Sequence, residues 1–145
     1  MKQPRDYALL MLRKAANDLI AADATLQTGM AFDTVGFHAQ QAVEKSLKAI
    51  LSFNDIEYRR THDLTQLLTL VLDVDHDLAR LSEQILPLTR FAVEIRYSDE
   101  NDLFEHEAFD AFNAAEEIYR FTVRYLGIGY EQPESWYLSE DERGT

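Results

Sequence analysis

Apolar residues recur along the first 53 positions at alternating steps of four and three, the spacing of one face of an α-helix. The first stretch begins after Pro4 and predicts a helix over residues 4–28. The second predicts a helix over residues 33–53, which Asp33 and Thr34 can cap. The repeating positions of the two faces are Ala8, Leu12, Ala15, Leu19, Ala22 and Leu26, and then Val35, Ala39, Ala42, Ser46, Ala49 and Phe53.

Three further helices are predicted in the second half of the chain. Thr61 can cap a short helix that carries leucines and valines at helical spacing. A longer helix follows over residues 78–95, and Pro87 should bend it without ending it, because proline lacks the N–H that the helix needs. Asp102 is predicted to cap the last helix, which continues to Gly127.

The predicted elements specify a fold class. No alternating strand pattern of useful length is present, and short links join four long helices and one short helix. The sequence therefore predicts an all-α fold, an antiparallel up-and-down helix bundle over residues 1–127. Residues 128–145 are acidic and have no apolar period, so they are predicted to form a frayed tail.

Composition narrows the possible chemistry. The chain has 145 residues, of which 46% are hydrophobic, which is sufficient for one domain with its own core. Cysteine is absent, so disulfides, thiolate metal sites and thiol nucleophiles are excluded. Helix-bundle metal sites need paired Glu-x-x-His motifs on facing helices, and the sequence lacks them. We therefore expect neither a metal site nor a cofactor.

Charge and hydropathy bear on partners and location. Fourteen Lys and Arg residues oppose 26 Asp and Glu residues, which gives a formal net charge of −12. A field of this sign repels phosphate backbones, so a nucleotide site must be a local basic pocket. The first residues lack the apolar run of a secretory signal, and no stretch is long enough to span a bilayer. The sequence therefore predicts a cytoplasmic protein without a membrane segment.

Two groups of polar residues are candidates for binding chemistry. In the second helix, Gln41, Lys45 and Lys48 follow one another at steps of four and three, so they share one helix face. Arg96 and Tyr97 stand at the junction that leads into the last helix. Lysine, arginine and glutamine supply the donors that phosphates and base edges accept, and tyrosine can stack on a base.

A structural interpretation of the same residues also stands. In that interpretation, the lysines are solvated, Glu44 and Lys48 form a helix pair, and Arg96 caps carbonyls at a helix end. His38 is predicted to be a packed residue of the second helix or a polar contact at a subunit interface.

Three segments carry motifs that occur together, in this order, in one known family. They read FHAQQAVEKSLKA at 37–49, THDL at 61–64 and EIRYSD at 94–99. Through them the chain resembles the HEPN family, the nucleotide-binding domain of higher eukaryotes and prokaryotes, over nearly all of residues 5–127. The resemblance implies a HEPN-like bundle that forms a homodimer. It also implies a minimal nucleotidyltransferase as partner in a toxin–antitoxin-type module.

Many HEPN proteins are metal-independent ribonucleases, and the resemblance places part of their signature on this chain. The signature is an arginine followed after four to six residues by a histidine, and its arginine corresponds to Arg96. The positions that should hold the histidine contain Asn101, Asp102 and Leu103, and the next histidine is His106, beyond the family spacing. Because a general acid or base must reach the proton that it transfers, catalysis remains one alternative, with Arg96 and His106 as its residues.

A binding role needs no histidine at that position. Arg96 can clamp a phosphate, Lys45 and Lys48 can add charge, Tyr97 can stack on a base, and Gln41 can offer an amide. We therefore predict a HEPN component that binds nucleotide or RNA at these five residues. The remaining alternative is a non-catalytic protein-interaction module whose acidic surface recognises a basic partner.

Aromatic residues supply a second indication of dimerisation. Phe91, Phe109, Phe112 and Phe121 are more large side chains than one bundle core is expected to hold. Some of them are therefore predicted to face a second subunit or to remain partly exposed.

Overall fold

A computed structural model describes residues 3–61, 63–92 and 103–127. Across these ranges the chain forms five α-helices, two 3₁₀ helices and no β-strand, which confirms the all-α prediction. The α-helices are α1 (Pro4–Gln27), α2 (Phe32–Phe53), α3 (Leu64–Val74), α4 (Ser82–Ile85) and α5 (Glu105–Leu126). The 3₁₀ helices span His76–Leu81 and Leu86–Ala92. None of the described helices has both the length and the apolar character needed to cross a bilayer.

Helices α1 and α2 match the predicted bounds to within one residue, but α2 is not capped as expected. Its N-cap is Ala31, which adopts a left-handed conformation with a φ of 56°. Asp33 lies in the first turn, and its Oδ1 accepts a hydrogen bond from the backbone N–H of Leu103 at 2.8 Å. This carboxylate therefore ties the start of α2 to the segment before α5, a contact 70 residues apart in sequence.

The N-cap of α3 is also not the residue predicted from the sequence, which was Thr61. The Asp63 side chain accepts from the Thr65 N–H at 2.9 Å and is the N-cap of the helix. Thr61 acts one step earlier, because its hydroxyl accepts from the Asp63 N–H at 3.0 Å. Thr61, the predicted cap, thus hydrogen-bonds to Asp63, the residue that caps the helix.

The predicted long helix over residues 78–95 is not one continuous α-helix. Within the described residues, the four-residue α4 lies between the two 3₁₀ helices, and Pro87 is the second residue of the second 3₁₀ helix. Proline cannot donate to the carbonyl four residues earlier, so the α-helical ladder ends at Ile85 instead of bending. Leu78, Ile85 and Leu88 are nevertheless buried, as their spacing predicted. Residues 93–95, Asp102 and the tail at 128–145 lie outside the described residues.

Helix α2 lies at the centre of the fold and contacts α1, α3, α5 and the second 3₁₀ helix. Its small residues Ala39, Ala42, Ser46 and Ala49 are fully buried, and small side chains allow neighbouring helices to approach closely. The largest fully buried side chains include Leu47 and Ile50 of α2 itself and, on its neighbours, Leu12, Leu19, Phe112, Ile118 and Tyr119.

The start of α2 approaches its neighbours most closely at Gly36. A Cβ at this position would lie 2.5 Å from Leu103 Cδ1 and 3.3 Å from two ring atoms of Phe91. A methyl group here would force the end of the Leu103 side chain to shift and would press on the Phe91 ring.

The four phenylalanines divide unequally between core and surface. Phe91, Phe112 and Phe121 are buried, whereas Phe109 is 38% exposed. Phe109 therefore remains partly exposed, as predicted for some of the four, and one core accommodates the other three. Dimerisation stays a prediction carried by the family resemblance.

Candidate functional site

The candidate site on α2 is a half-exposed face that carries Gln41, Lys45 and Lys48. All three side chains are partly accessible to solvent, as expected for residues at steps of four and three on one helix. The structure shows that each has a polar partner, and these partners determine what the face can do.

Lys45 is held by a carboxylate of the neighbouring helix. Its Nζ donates to Oδ2 of Asp18 in α1 at 2.5 Å, and Nδ1 of His38 contacts Oδ1 of the same carboxylate at 2.9 Å. The Asp18 side chain is only 11% exposed, against 24% for Lys45 and 28% for His38. Two side chains of α2 therefore converge on one nearly buried carboxylate, which joins α2 to α1.

Lys48 has a carboxylate and an aromatic ring as neighbours. Its Nζ lies 3.6 Å from Oε1 of Glu44, and the Glu44 side chain is 3% exposed. The same ammonium stands 5.6 Å from the centre of the Tyr58 ring, within the range of a cation–π interaction. The predicted helix pair between Glu44 and Lys48 is thus confirmed.

Gln41 is also engaged within the helix. Its Nε2 donates to Oε1 of Gln40 at 2.7 Å, and Gln40 is fully buried. The face therefore presents paired charges and amides, not a row of unpaired cations.

The remaining predicted site residues lie near the start of α5 or outside the described residues. Arg96 and Tyr97 lie outside the described residues. His106 lies in the first turn of α5, where its exposed ring stacks on Phe104 with a centroid separation of 5.9 Å and an interplanar angle of 8°. Across the described ranges, no group of three or more histidines and carboxylates is placed to hold a metal ion.

Glu107, next to His106, is an acidic residue in the first turn of α5. Its Oε1 accepts from the Phe104 N–H at 3.0 Å, and its Oε2 lies 3.1 Å from Nη2 of Arg90. The backbone hydrogen bond from Phe104 is the main cause that lowers the pKa of Glu107 below 4.5, and Arg90 acts in the same direction. Glu107 therefore caps α5 as an ionised carboxylate.

Asp18 is the residue of this site that sequence reasoning missed. It lies on the buried side of α1 among apolar positions, 20 residues before His38 and 27 before Lys45. A carboxylate at an apolar position of a helix was the signal available, since buried carboxylates are paired.

Comparisons with known proteins assign the family. The HEPN domain matches residues 8–126, which is most of the chain. A segment of 54 residues is 44% identical to "Putative toxin MJ1304" of Methanocaldococcus jannaschii and covers 37% of this chain and 35% of that protein. No solved structure matches. The chain belongs to the HEPN family.

Proposed function

We propose that this chain is the HEPN component of a toxin–antitoxin-type module, with a minimal nucleotidyltransferase as its partner. We further propose that it binds nucleotide or RNA through Gln41, Lys45 and Lys48 together with Arg96 and Tyr97. The match to the HEPN domain and the similarity to a protein whose name describes a toxin support the module. The geometry of α2 supports the binding face.

The observation that carries the binding proposal is that carboxylates hold Lys45 and Lys48 in place while both remain accessible. An ammonium has three N–H donors, and Asp18 accepts from one of those on Lys45. The others can donate to a phosphate. Because Asp18 and Glu44 already order the two side chains, a ligand would not have to order them itself. The same carboxylates neutralise part of the charge, so Arg96 is needed for tight binding.

A thermal-shift titration tests the binding face. We expect AMP, ATP or a short single-stranded RNA to raise the melting temperature of the wild-type protein, because a ligand that binds only the folded state stabilises it. Lys45→Met and Lys48→Met should each lose at least half of that shift, measured from the melting temperature of the same variant without ligand. Lys14→Met, which removes an exposed lysine of α1, is the matched control and should retain the shift. No shift of the wild type at millimolar ligand would refute the binding proposal.

Co-purification tests the module. The chain should elute with the nucleotidyltransferase encoded beside it when the two are co-expressed and one carries a tag. Separate elution at micromolar concentration would refute the proposed partner without affecting the ligand titration.

We also propose the finer architecture, an antiparallel up-and-down bundle that forms a homodimer. The short connection between α1 and α2, which contact each other extensively, supports the antiparallel arrangement of these two helices. Light scattering at micromolar concentration tests the dimer, and the mass of one chain would refute it.

A further inference from the structure

A groove of about 520 Å³ runs between α5 and the second 3₁₀ helix, and none of Gln41, Lys45 and Lys48 lines it. Its floor is apolar: Pro87, Leu88 and Phe91 come from the 3₁₀ helix, and Ala111 and Ala114 come from α5. The two alanines keep the α5 side of the groove shallow, so another helix could approach it closely.

The rim of the groove along α5 is acidic. Glu107, Asp110 and Glu117 are separated by three and seven residues, so they lie on one side of the helix. Of the described residues that line the groove, Arg90 is the only basic one, and it pairs with Glu107 at 3.1 Å. Asp110 and Glu117 are exposed and form no ion pair within the described ranges. They therefore leave an uncompensated negative charge beside an apolar floor.

The dimensions of the groove suit a helix. From Glu107 to Glu117 the rim extends over ten residues of α5, roughly 15 Å or about three helical turns. Three turns of an amphipathic helix can place a few apolar side chains on the floor and basic side chains beside the rim.

We propose that this groove docks a basic amphipathic helix of a partner protein, with Lys or Arg side chains beside Asp110 and Glu117. Charge complementarity favours this occupant. The segments at 93–102 and 128–145 do not supply this chemistry, since acidic residues outnumber basic ones in both.

The two parts of the groove have separate roles. The apolar side chains of the docked helix supply most of the affinity when they leave water for this floor, because exposed charge pairs contribute little on their own. The acidic rim selects basic partners and speeds their association, since opposite charges steer the encounter and like charges oppose it. The proposal does not depend on nucleotide binding, since no residue of α2 lines the groove.

A synthetic helical peptide tests the proposal with the full-length chain. The probe is an amidated 18-residue peptide with leucines on one face and lysines flanking them, and fluorescence anisotropy at physiological salt measures its binding. We expect the double variant Asp110→Lys with Glu117→Lys to weaken binding at least ten-fold. The matched control, Glu57→Lys with Asp73→Lys, reverses two other exposed carboxylates and should change affinity less than two-fold. Circular dichroism verifies that both variants are folded.

A second peptide separates docking from general attraction between opposite charges. In it, serines replace the leucines while the lysines are unchanged, and we expect its binding to fall at least ten-fold as well. Equal weakening by the groove variant and the control variant would overturn the proposal, because it would show that only net charge matters. Undiminished binding of the serine peptide, or no binding of the leucine peptide to the wild type, would overturn it too.

Discussion

Asp18 contacts two side chains of another helix: its carboxylate accepts a hydrogen bond from Lys45 and lies within hydrogen-bond distance of His38 Nδ1. The carboxylate holds the Lys45 ammonium at 2.5 Å and contacts His38 Nδ1 at 2.9 Å while it is almost buried. Charge-assisted bonds of this kind contribute more than neutral ones, and a partner left without its acceptor is costly. Asp18 therefore links two side chains of the α2 face to α1.

Replacement of Asp18 by asparagine retains the shape of the side chain and removes its charge. We expect Asp18→Asn to lower the free energy of unfolding by about 1–3 kcal/mol, as measured by urea denaturation. The same substitution at the exposed Asp73 should change it by less than about 0.5 kcal/mol. Equal effects at the two positions would show that the Asp18 contacts add nothing to stability.

Glu107 makes the stability of the fold depend on pH. Its pKa in the folded chain lies below the ordinary value of 4.5, so it stabilises the fold above that pH. The contribution is lost as the pH falls through the lowered pKa, because protonation then removes the favoured charge. Glu107→Gln should be less stable than the wild type at pH 7, and the difference should shrink toward pH 3.

Thermal melts of both proteins between pH 3 and pH 7 measure this difference. It should be modest, below about 1 kcal/mol, because the side chains of Glu107 and Arg90 are 30% and 45% exposed. A difference that grows on acidification would contradict the assigned direction of the pKa.

At the scale of elements, the start of α2 depends on a close approach of three parts of the chain. Gly36 lies against Leu103, which precedes α5, and against Phe91 at the end of the second 3₁₀ helix. Asp33 adds a hydrogen bond to the Leu103 backbone at 2.8 Å. The segment that leads into α5 is thus positioned by contacts with the first turns of α2 as well as by the capping residues of α5 itself.

Substitution of Gly36 by alanine tests this close packing. Alanine favours helix formation by roughly 1 kcal/mol over glycine, yet here its Cβ would lie 2.5 Å from Leu103 Cδ1. Because Leu103 Cδ1 ends a flexible side chain and can move, we expect overpacking to prevail only slightly, so that Gly36→Ala lowers the free energy of unfolding by at most about 1 kcal/mol.

A double-mutant cycle provides the control for Gly36→Ala. In a Leu103→Ala background the clash with the leucine is absent, so the same glycine substitution should cost less or become stabilising. An equal cost in both backgrounds would show that Leu103 is not what limits this position.

At the scale of the whole molecule, the central question is whether this HEPN chain cleaves RNA. The ribonuclease alternative uses Arg96, which lies outside the described residues, and His106, whose exposed ring stacks on Phe104. RNA cleavage needs two groups that act together in proton transfer and charge stabilisation. Binding needs only the cationic side chains of the proposed site.

Incubation of the purified chain with RNA distinguishes the two functions. Under the binding proposal we expect RNA to stay intact at high protein concentration, while Arg96→Ala weakens nucleotide binding. Cleavage by the wild type that is lost in both Arg96→Ala and His106→Ala would establish the enzyme instead. A Lys14→Ala variant, prepared in the same way, controls for contaminating nuclease.

Periodicity in the sequence was sufficient to predict α1, α2, α3 and α5, because the apolar spacing of a helix is a local property of the chain. It also placed Gln41, Lys45 and Lys48 on one face and predicted the pair between Glu44 and Lys48 within a single helix. The family motifs were readable for the same reason, since each occupies a short continuous segment.

Tertiary structure alone decided which groups meet across helices. The pairing of Asp18 with Lys45 and the bond from Leu103 to Asp33 join residues 27 and 70 positions apart, and no local spacing encodes either contact. Pro87 ended the α-helical ladder even though the apolar spacing continued past it, because a buried face can be built from 3₁₀ turns as well as from an α-helix. Local chemistry therefore specified the helices, and packing specified their partners.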